Sequence, residues 1–257
     1  MKFVFDLDGT ICFKGKPVSK KIVECLLEVA SSGHEVIFAS ARPIRDMLPV
    51  LDSRLHGFTL IGGNGSLVYE NRDLNDCTAF SAREIEGVIS LMEEYEATYL
   101  VDSDWDYAYT GPTDHPIIQN LDPEGLAKNV PLEELSLIVK MLILTSSDYV
   151  ELSRKLSELD MEVHEHGNER VLDISPPNIN KWMALSKLGV REQDYIAFGN
   201  DANDISMFEN AKVAVMIGEH GELSDVADEK IDLTGDVEDV IVGRIEELAR
   251  KYREVVQ

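Results

Sequence analysis

Two carboxylates, Asp6 and Asp8, stand two residues apart, directly after the apolar run Phe3-Val4-Phe5 and directly before Gly9-Thr10. A run of aromatic and β-branched residues bounded by a glycine reads as a short buried strand, so Asp6 falls at its carboxyl end. In open α/β sheets the crevice outside the carboxyl ends of the strands is where ligands bind. Residues two apart in an extended segment point to the same side, and carboxylates so placed repel unless a cation or a shared proton intervenes. A hard divalent ion answers that repulsion, and Mg²⁺ characteristically binds one or two carboxylates together with water and phosphate oxygens. An ordinary acidic turn would look the same over five residues, so the rest of the chain has to decide.

Four later stretches carry polar groups in comparable settings. Ser40-Ala41-Arg42-Pro43 follows the strand-like His34 to Ala39, and Gly62-Gly63-Asn64-Gly65 follows Phe58 to Ile61. Lys181 opens a helix after the break Ser175-Pro176-Pro177-Asn178, and Tyr195 to Phe198 leads into Gly199-Asn200-Asp201-Ala202-Asn203-Asp204. Each has a plainer explanation taken alone. Ser40 can cap a helix before Pro43, Arg42 can be a structural ion-pair partner, Asn-Gly is a turn signal, and most lysines are solvated. Two rival motifs fail on their own chemistry. Cys77 and Arg83 have the C-x5-R spacing of cysteine phosphatases, but the five residues between them contain no glycine to curl around a phosphate. The acidic loop from Asp201 has the outline of a calcium loop, yet its sixth position is Ser206 rather than glycine.

The elements that must position these groups follow from periodicity. Ser19 to Ala30 has helical spacing, a serine able to cap its start and Gly33 beyond its end, so strand, helix and strand form a βαβ unit with a parallel sheet. Ser40 then shares a sheet edge with Asp6. A hairpin around Asn64-Gly65 is expected to hang off that sheet, and Pro43 suits a first helical turn. From about Ser81 the texture changes. An amphipathic helix (Ser81 to Glu96), a polar, aromatic-rich stretch (Thr98 to Pro116), the strand-like Leu135 to Leu144, a helix (Ser147 to Leu159) and a hairpin (Met161 to Glu165 with Arg170 to Ile174) suggest a separate α+β unit. The fold class expected is α/β, a Rossmann-like parallel-sheet core of residues 1–79 and 180–257 with an inserted α+β domain of residues 80–179. Helices from Lys181 to Leu188 and Val237 to Tyr252 and a strand from Lys212 to Ile217 complete the core.

The chain has 257 residues, long enough for a core and a second, smaller domain. Its 48 acidic against 24 basic residues give a formal net charge of -24, which makes nucleic acid and anionic membrane surfaces poor partners. The acids are scattered rather than blocked, as expected of solubility. An anionic substrate would need local positive charge to enter. Three cysteines, Cys12, Cys25 and Cys77, suit reduced thiols in a cytoplasmic monomer or homodimer. Asp6 and Asp8 interrupt the early apolar run, so no signal peptide is expected, and Leu135 to Leu144 carries Lys140 and is too short to span a bilayer.

Taken together, Asp6 and Asp8, Ser40, Lys181 and the Gly199 to Asp204 loop resemble the four motifs of the haloacid dehalogenase superfamily. Within it they resemble the Cof-like phosphatases, whose C2-type (IIB) cap is inserted between the second and third motifs. The resemblance implies a Mg²⁺-dependent phosphatase acting on a small phosphorylated metabolite, of which sugar phosphates are the first class to consider. It implies Asp6 as nucleophile through an aspartyl-phosphate, Asp8 as proton donor and acceptor, Ser40 as a hydrogen-bond donor to the phosphoryl group and Lys181 as its countercharge. Ala41, Arg42 and Asn64 are the remaining candidates for touching substrate. Mg²⁺ would be held by Asp6, the Asp8 backbone carbonyl and the acidic loop, for which Asn200, Asp201 and Asp204 are the candidates. The loop departs from the usual Gly-Asp-x-x-x-Asp arrangement by placing Asn200 where the first acid is expected. A phosphomutase on the same scaffold and a non-catalytic metal-binding regulatory protein are the alternatives. Trp105, Tyr107, Tyr109, His115, His164 and Arg170 are the inserted domain's candidates for lining a pocket.

Overall fold

The computed structural model describes residues 1–166 and 170–253. The chain begins with β1 (Lys2–Phe5), β2 (Glu35–Ala39), β3 (Thr59–Gly62), β4 (Leu67–Glu70) and β5 (Asp73–Cys77). It continues through β6 (Thr98–Asp102), β7 (Tyr107–Tyr109), β8 (Lys140–Thr145), β9 (Glu162–His166) and β10 (Val171–Ser175), then returns with β11 (Tyr195–Gly199), β12 (Val213–Ile217) and β13 (Glu229–Ile231). Two sheets result, one in the order β13-β12-β11-β1-β2-β3-β4-β5 and one in the order β7-β6-β8-β10-β9.

Strand β1 lies inside the first sheet, parallel to β11 on one side and β2 on the other. Its side chains divide by the period of two. Phe3 and Phe5 pack with Ile22, Leu26, Ile241 and Ile245 from the helices Lys20–Ser31 and Val237–Lys251, while Val4 joins Ala184, Leu185, Met207 and Phe208 on the other face. A strand covered on both faces reads as a continuous apolar run, which is why the tract was legible. Phe5 is level with both Phe38 and Phe198. The next residues of the three strands, Asp6, Ala39-Ser40 and Gly199-Asn200, therefore emerge together at one edge.

Several local expectations need correction. The β3–β4 pair is antiparallel and extends the main sheet, followed by β5, instead of hanging off it. Strand β5 has the polar sequence Asp-Leu-Asn-Asp-Cys and is largely exposed at the sheet edge, so periodicity could not reveal it. The polar stretch from Thr98 contains two strands, β6 and β7, and β8 starts only at Lys140 rather than at Leu135. Pro43 occupies the capping position of the short helix Ile44–Met47, with ψ 157°, not its first turn.

The second sheet is antiparallel in each of its four pairings. The helices Ala82–Glu94 and Tyr149–Leu156 cover one face through Val88, Met92, Leu152 and Leu156. The turn between β9 and β10 lies outside the described residues. Asp102, Lys140 and Asp173 share the opposite face with Leu100, Leu142 and Val171 by strand alternation and register. Among the described residues no helix is long and apolar enough to cross a membrane.

Two polar networks join the second sheet to the first. Arg45 is 1% exposed and donates to Asp46, to Asp102 of β6 at 2.8 Å and to the Trp105 carbonyl at 2.7 Å, with its guanidinium 4.8 Å above the Tyr107 ring. Asp46 also accepts from the Asp122 N–H. In the second network, Lys140 of β8 donates to the Ala41 carbonyl and pairs with Asp173, which accepts from Asn64. Removing one partner of a buried ion pair leaves an uncompensated charge. Arg45→Ala should therefore lower unfolding free energy by about 3–5 kcal/mol. Urea denaturation measures this; a loss within experimental error would show that the network does not anchor the two sheets.

Candidate active site

Asp6 is buried and fixed from two directions. Its Oδ1 accepts from Lys181 Nζ at 2.7 Å and its Oδ2 from the Thr10 hydroxyl at 2.9 Å. Lys181, the first residue of its helix and itself fully buried, also donates to Asp204 Oδ1 at 2.6 Å. The helix start is set by Asn180, whose side chain caps the Met183 N–H. Burial opposes the lysine's charge, but Asp204 and Asp6 outweigh it and hold the ammonium above its usual range. Burial pushes the Asp6 carboxyl up to about 7 against the pull of Lys181, with Asp204 and Asp8 adding to the rise.

Asp8 contrasts with Asp6. Its side chain is 48% exposed and is gripped by Arg42 through Nε at 2.6 Å and Nη2 at 2.7 Å, a bidentate fork. Ser40 is buried at the end of β2, where its hydroxyl accepts from the Arg42 N–H at 3.2 Å and its carbonyl from the Asn64 N–H. Asn64 is buried with φ 59°, a left-handed turn position that asparagine tolerates. Its side chain bridges Asp173 of β10 and Asn203 of the acidic loop.

Within the acidic loop the three metal-ligand candidates separate. Asp204 is fully buried, and its Oδ2 accepts from the Asn200 and Asp201 N–H groups while Oδ1 takes Lys181. Both its oxygens thus organise the loop and the lysine. Asp201 accepts from the Ala202 N–H and lies 3.4 Å from His220, half exposed. Asn200 alone of the three reaches the first motif: the end of its amide lies 2.8 Å from the Asp8 carbonyl oxygen, 3.1 Å from Asp6 Oδ2 and 3.1 Å from Thr10 Oγ1. Among the described residues no three His, Cys, Asp or Glu side chains form a metal-holding group by themselves. The donor set that does converge is a carboxylate, a backbone carbonyl and an amide, oxygen donors of the kind Mg²⁺ takes alongside water and substrate phosphate.

A family model described as haloacid dehalogenase-like hydrolase matches residues 3–234. The chain belongs to that family. It is a Cof-like, cap-bearing member, with an α/β core and an inserted antiparallel cap sheet. A 5-amino-6-(5-phospho-D-ribitylamino)uracil phosphatase of Bacillus subtilis is 23% identical over 231 residues, 83% of this chain and 84% of the relative. A phosphoglycolate phosphatase of Nitrosopumilus maritimus is 26% identical over 230 residues, 84% of this chain and 82% of the relative. Among solved structures, a haloacid dehalogenase-like hydrolase from Bacteroides thetaiotaomicron aligns with TM-score 0.78 at 20% identity, covering 96% of this chain and 98% of its own. A subclass IIB sugar phosphatase aligns with TM-score 0.76 at 18% identity and the same coverage.

In this haloacid dehalogenase-like hydrolase the sheet edge brings Asp6, Asp8, Ser40, Ala41, Arg42, Asn64, Lys181 and Asn200 together. Of the cap candidates, Trp105, Tyr109 and His115 hold their own loop, through the Leu126 carbonyl, the Pro112 carbonyl and the Ile117 N–H respectively. Tyr107 lies under Arg45, His164 faces Asp173 in register, and Arg170 is exposed with φ 51°. Four residues were missed. Thr10 and Asn203 stand inside motifs already singled out, and Lys140 and Asp173 interrupt apolar strands, a signal that a buried charge has a partner.

The Asp6 environment gives a pH dependence. A carboxyl raised from 3.8 to about 7 on folding binds its proton more tightly in the native state. The metal-free protein should therefore lose stability from this group as pH rises from 3.8 to about 7. Asp6→Asn should flatten that slope in urea denaturation with EDTA present; an unchanged slope would show that Asp6 is not the group responsible.

Proposed function

We propose that this hydrolase is a Mg²⁺-dependent phosphatase that cleaves the monoester of a small phosphorylated sugar through an aspartyl-phosphate on Asp6. The observation that carries the reading is the pairing of unlike carboxylates: buried Asp6, held by Lys181, beside half-exposed Asp8. Two carboxyl groups with divergent environments divide the roles of nucleophile and proton carrier.

The contacts support the following course of reaction. An Asp6 oxygen attacks phosphorus, the ester oxygen leaves, and Asp8 supplies the proton that the departing alcohol needs. Water then attacks the acyl phosphate, Asp8 takes its proton, and inorganic phosphate leaves with Asp6 restored. Ser40 already accepts from a backbone N–H and has its hydroxyl proton for a phosphoryl oxygen, while Lys181 supplies fixed positive charge beside the reacting carboxylate. Arg42 grips both Asp8 oxygens, so that fork must open for Asp8 to exchange a proton with the leaving group or water; a phosphate dianion offers the guanidinium a competing partner.

Asp6, the Asp8 carbonyl and the Asn200 amide would hold Mg²⁺. When bound, the cation neutralises phosphate charge and fixes the group for in-line attack. Asp201 and Asp204 are assigned here to loop structure and to Lys181. A cavity of about 140 Å³ lies between core and cap beside Arg42, with a mainly apolar lining that includes Pro43, Leu100, Ile117, Leu121 and Leu142. The sugar-phosphate class is supported by the likeness to a sugar phosphatase.

Phosphate release from a panel of sugar phosphates, phosphoglycolate and other phosphorylated metabolites, with and without Mg²⁺, tests the reading. Turnover should require the metal, vanish in Asp6→Asn and fall roughly 10²- to 10⁴-fold in Asp8→Asn. Mg²⁺ binding with no release from any compound would favour a phosphomutase or a non-catalytic protein instead.

A further inference from the structure

We infer that Asn200 is a two-position amide switch: its nitrogen faces Asp6 and Asp8 in the metal-free enzyme, and its oxygen faces them when the divalent cation is bound. This deepens the metal reading above and rests on it.

The three atoms around the end of the amide are the Asp8 carbonyl oxygen, an Asp6 carboxyl oxygen and the Thr10 hydroxyl, each able to accept a hydrogen bond. The Asp8 carbonyl, the nearest of them at 2.8 Å, has no proton to give, and the single Thr10 hydroxyl proton is within reach of both Asp6 Oδ2 at 2.9 Å and the amide end at 3.1 Å. An amide nitrogen in that position donates to this ring of oxygens and satisfies it. An amide oxygen there has only the shared Thr10 hydroxyl to accept from and otherwise meets the Asp8 carbonyl and the Asp6 carboxylate oxygen, an arrangement that calls for a cation among them. The same residue thus matches the site in both of its orientations, and the two differ only by rotation about the last side-chain bond.

Two features make that rotation local. The Asn200 backbone N–H is tied to Asp204 Oδ2 at 2.8 Å, so the main chain stays in place. The other side of the amide lies against Gly9, where a Cβ would stand 2.9 Å from Asn200 Cγ; Gly9 has φ +82° and leaves the space open. An aspartate at position 200 would have no hydrogens to offer. Without a cation it would set a carboxylate oxygen about 3 Å from Asp6 Oδ2 and the Asp8 carbonyl, a repulsion that neutral Asn200 avoids. The amide therefore gives a metal-free site that is internally satisfied, at the cost of one negative charge toward the cation.

Two measurements on the full-length protein test this. In ¹⁵N-labelled wild-type protein, with the Asn200 side-chain amide assigned by through-bond connectivity, EDTA should give hydrogen-bonded, slowly exchanging NH₂ protons. Saturating Mg²⁺ should shift them upfield and speed their exchange. By calorimetry Asn200→Asp should bind Mg²⁺ on the order of tenfold tighter than wild type, because it adds a charged ligand, and in EDTA it should melt at a lower temperature. Amide signals that stay put at Mg²⁺ saturation, or equal affinities in the two proteins, would overturn the switch while leaving the metal site standing. Failure of both proteins to bind Mg²⁺ would overturn the metal reading and the switch with it. The amide measurement uses wild type alone, so a variant that does not fold leaves the test intact.

Discussion

The buried ammonium of Lys181, shared between Asp6 and Asp204, is the interaction on which the rest of the site depends. It joins three parts of the chain: the end of β1, the first helical turn after the cap, and the loop after β11. A lysine taken out of water is costly unless it is paired, and here two carboxylates keep it charged. The same contacts fix the Asp6 carboxylate and leave Asp204 to gather the N–H groups of the acidic loop. Removing the ammonium would leave two buried carboxylates facing each other, so the pair-of-pairs is a constraint on folding as well as on chemistry.

The placement of positive charge explains how a chain with net charge -24 can take an anionic ester. Lys181, Arg42 and Lys140 all lie at the sheet edge or on the cap face above it, each tied to carboxylates that hold it in place. The surface can stay acidic because the field that matters is set within a few ångströms of the phosphoryl group. The cap contributes on the same terms. Lys140 reaches the Ala41 carbonyl and Asp173 reaches Asn64, so the second and third strand ends of the core are each touched by a cap side chain.

Much of this was legible from residue order because the core strands are covered on both faces. Phe3-Val4-Phe5, Val36 to Ala39 and Tyr195 to Phe198 read as buried strands and are parallel neighbours in the sheet, and the candidate site residues stand at their ends. The cap was legible as a change of texture but not in detail. Strand β6 mixes polar and apolar residues, and one face of the cap sheet sets Asp102, Lys140 and Asp173, whose partners include residues far away in sequence, among Leu100, Leu142 and Val171. The ligand assignment in the acidic loop could not be read from spacing, because Asn200, Asp201 and Asp204 are all oxygen donors. Only the directions of their side chains distinguish the one that reaches Asp6 from those that hold His220 and Lys181.

Capturing the covalent adduct addresses the central claim. A substrate from the hydrolysed panel would be mixed with enzyme and Mg²⁺, quenched in acid within milliseconds, and the peptides mapped by mass. The account predicts one phosphoryl group on the peptide carrying Asp6, absent in Asp6→Asn. Phosphoryl found on another residue, or turnover that passes through no phosphorylated enzyme at any quench time, would contradict it.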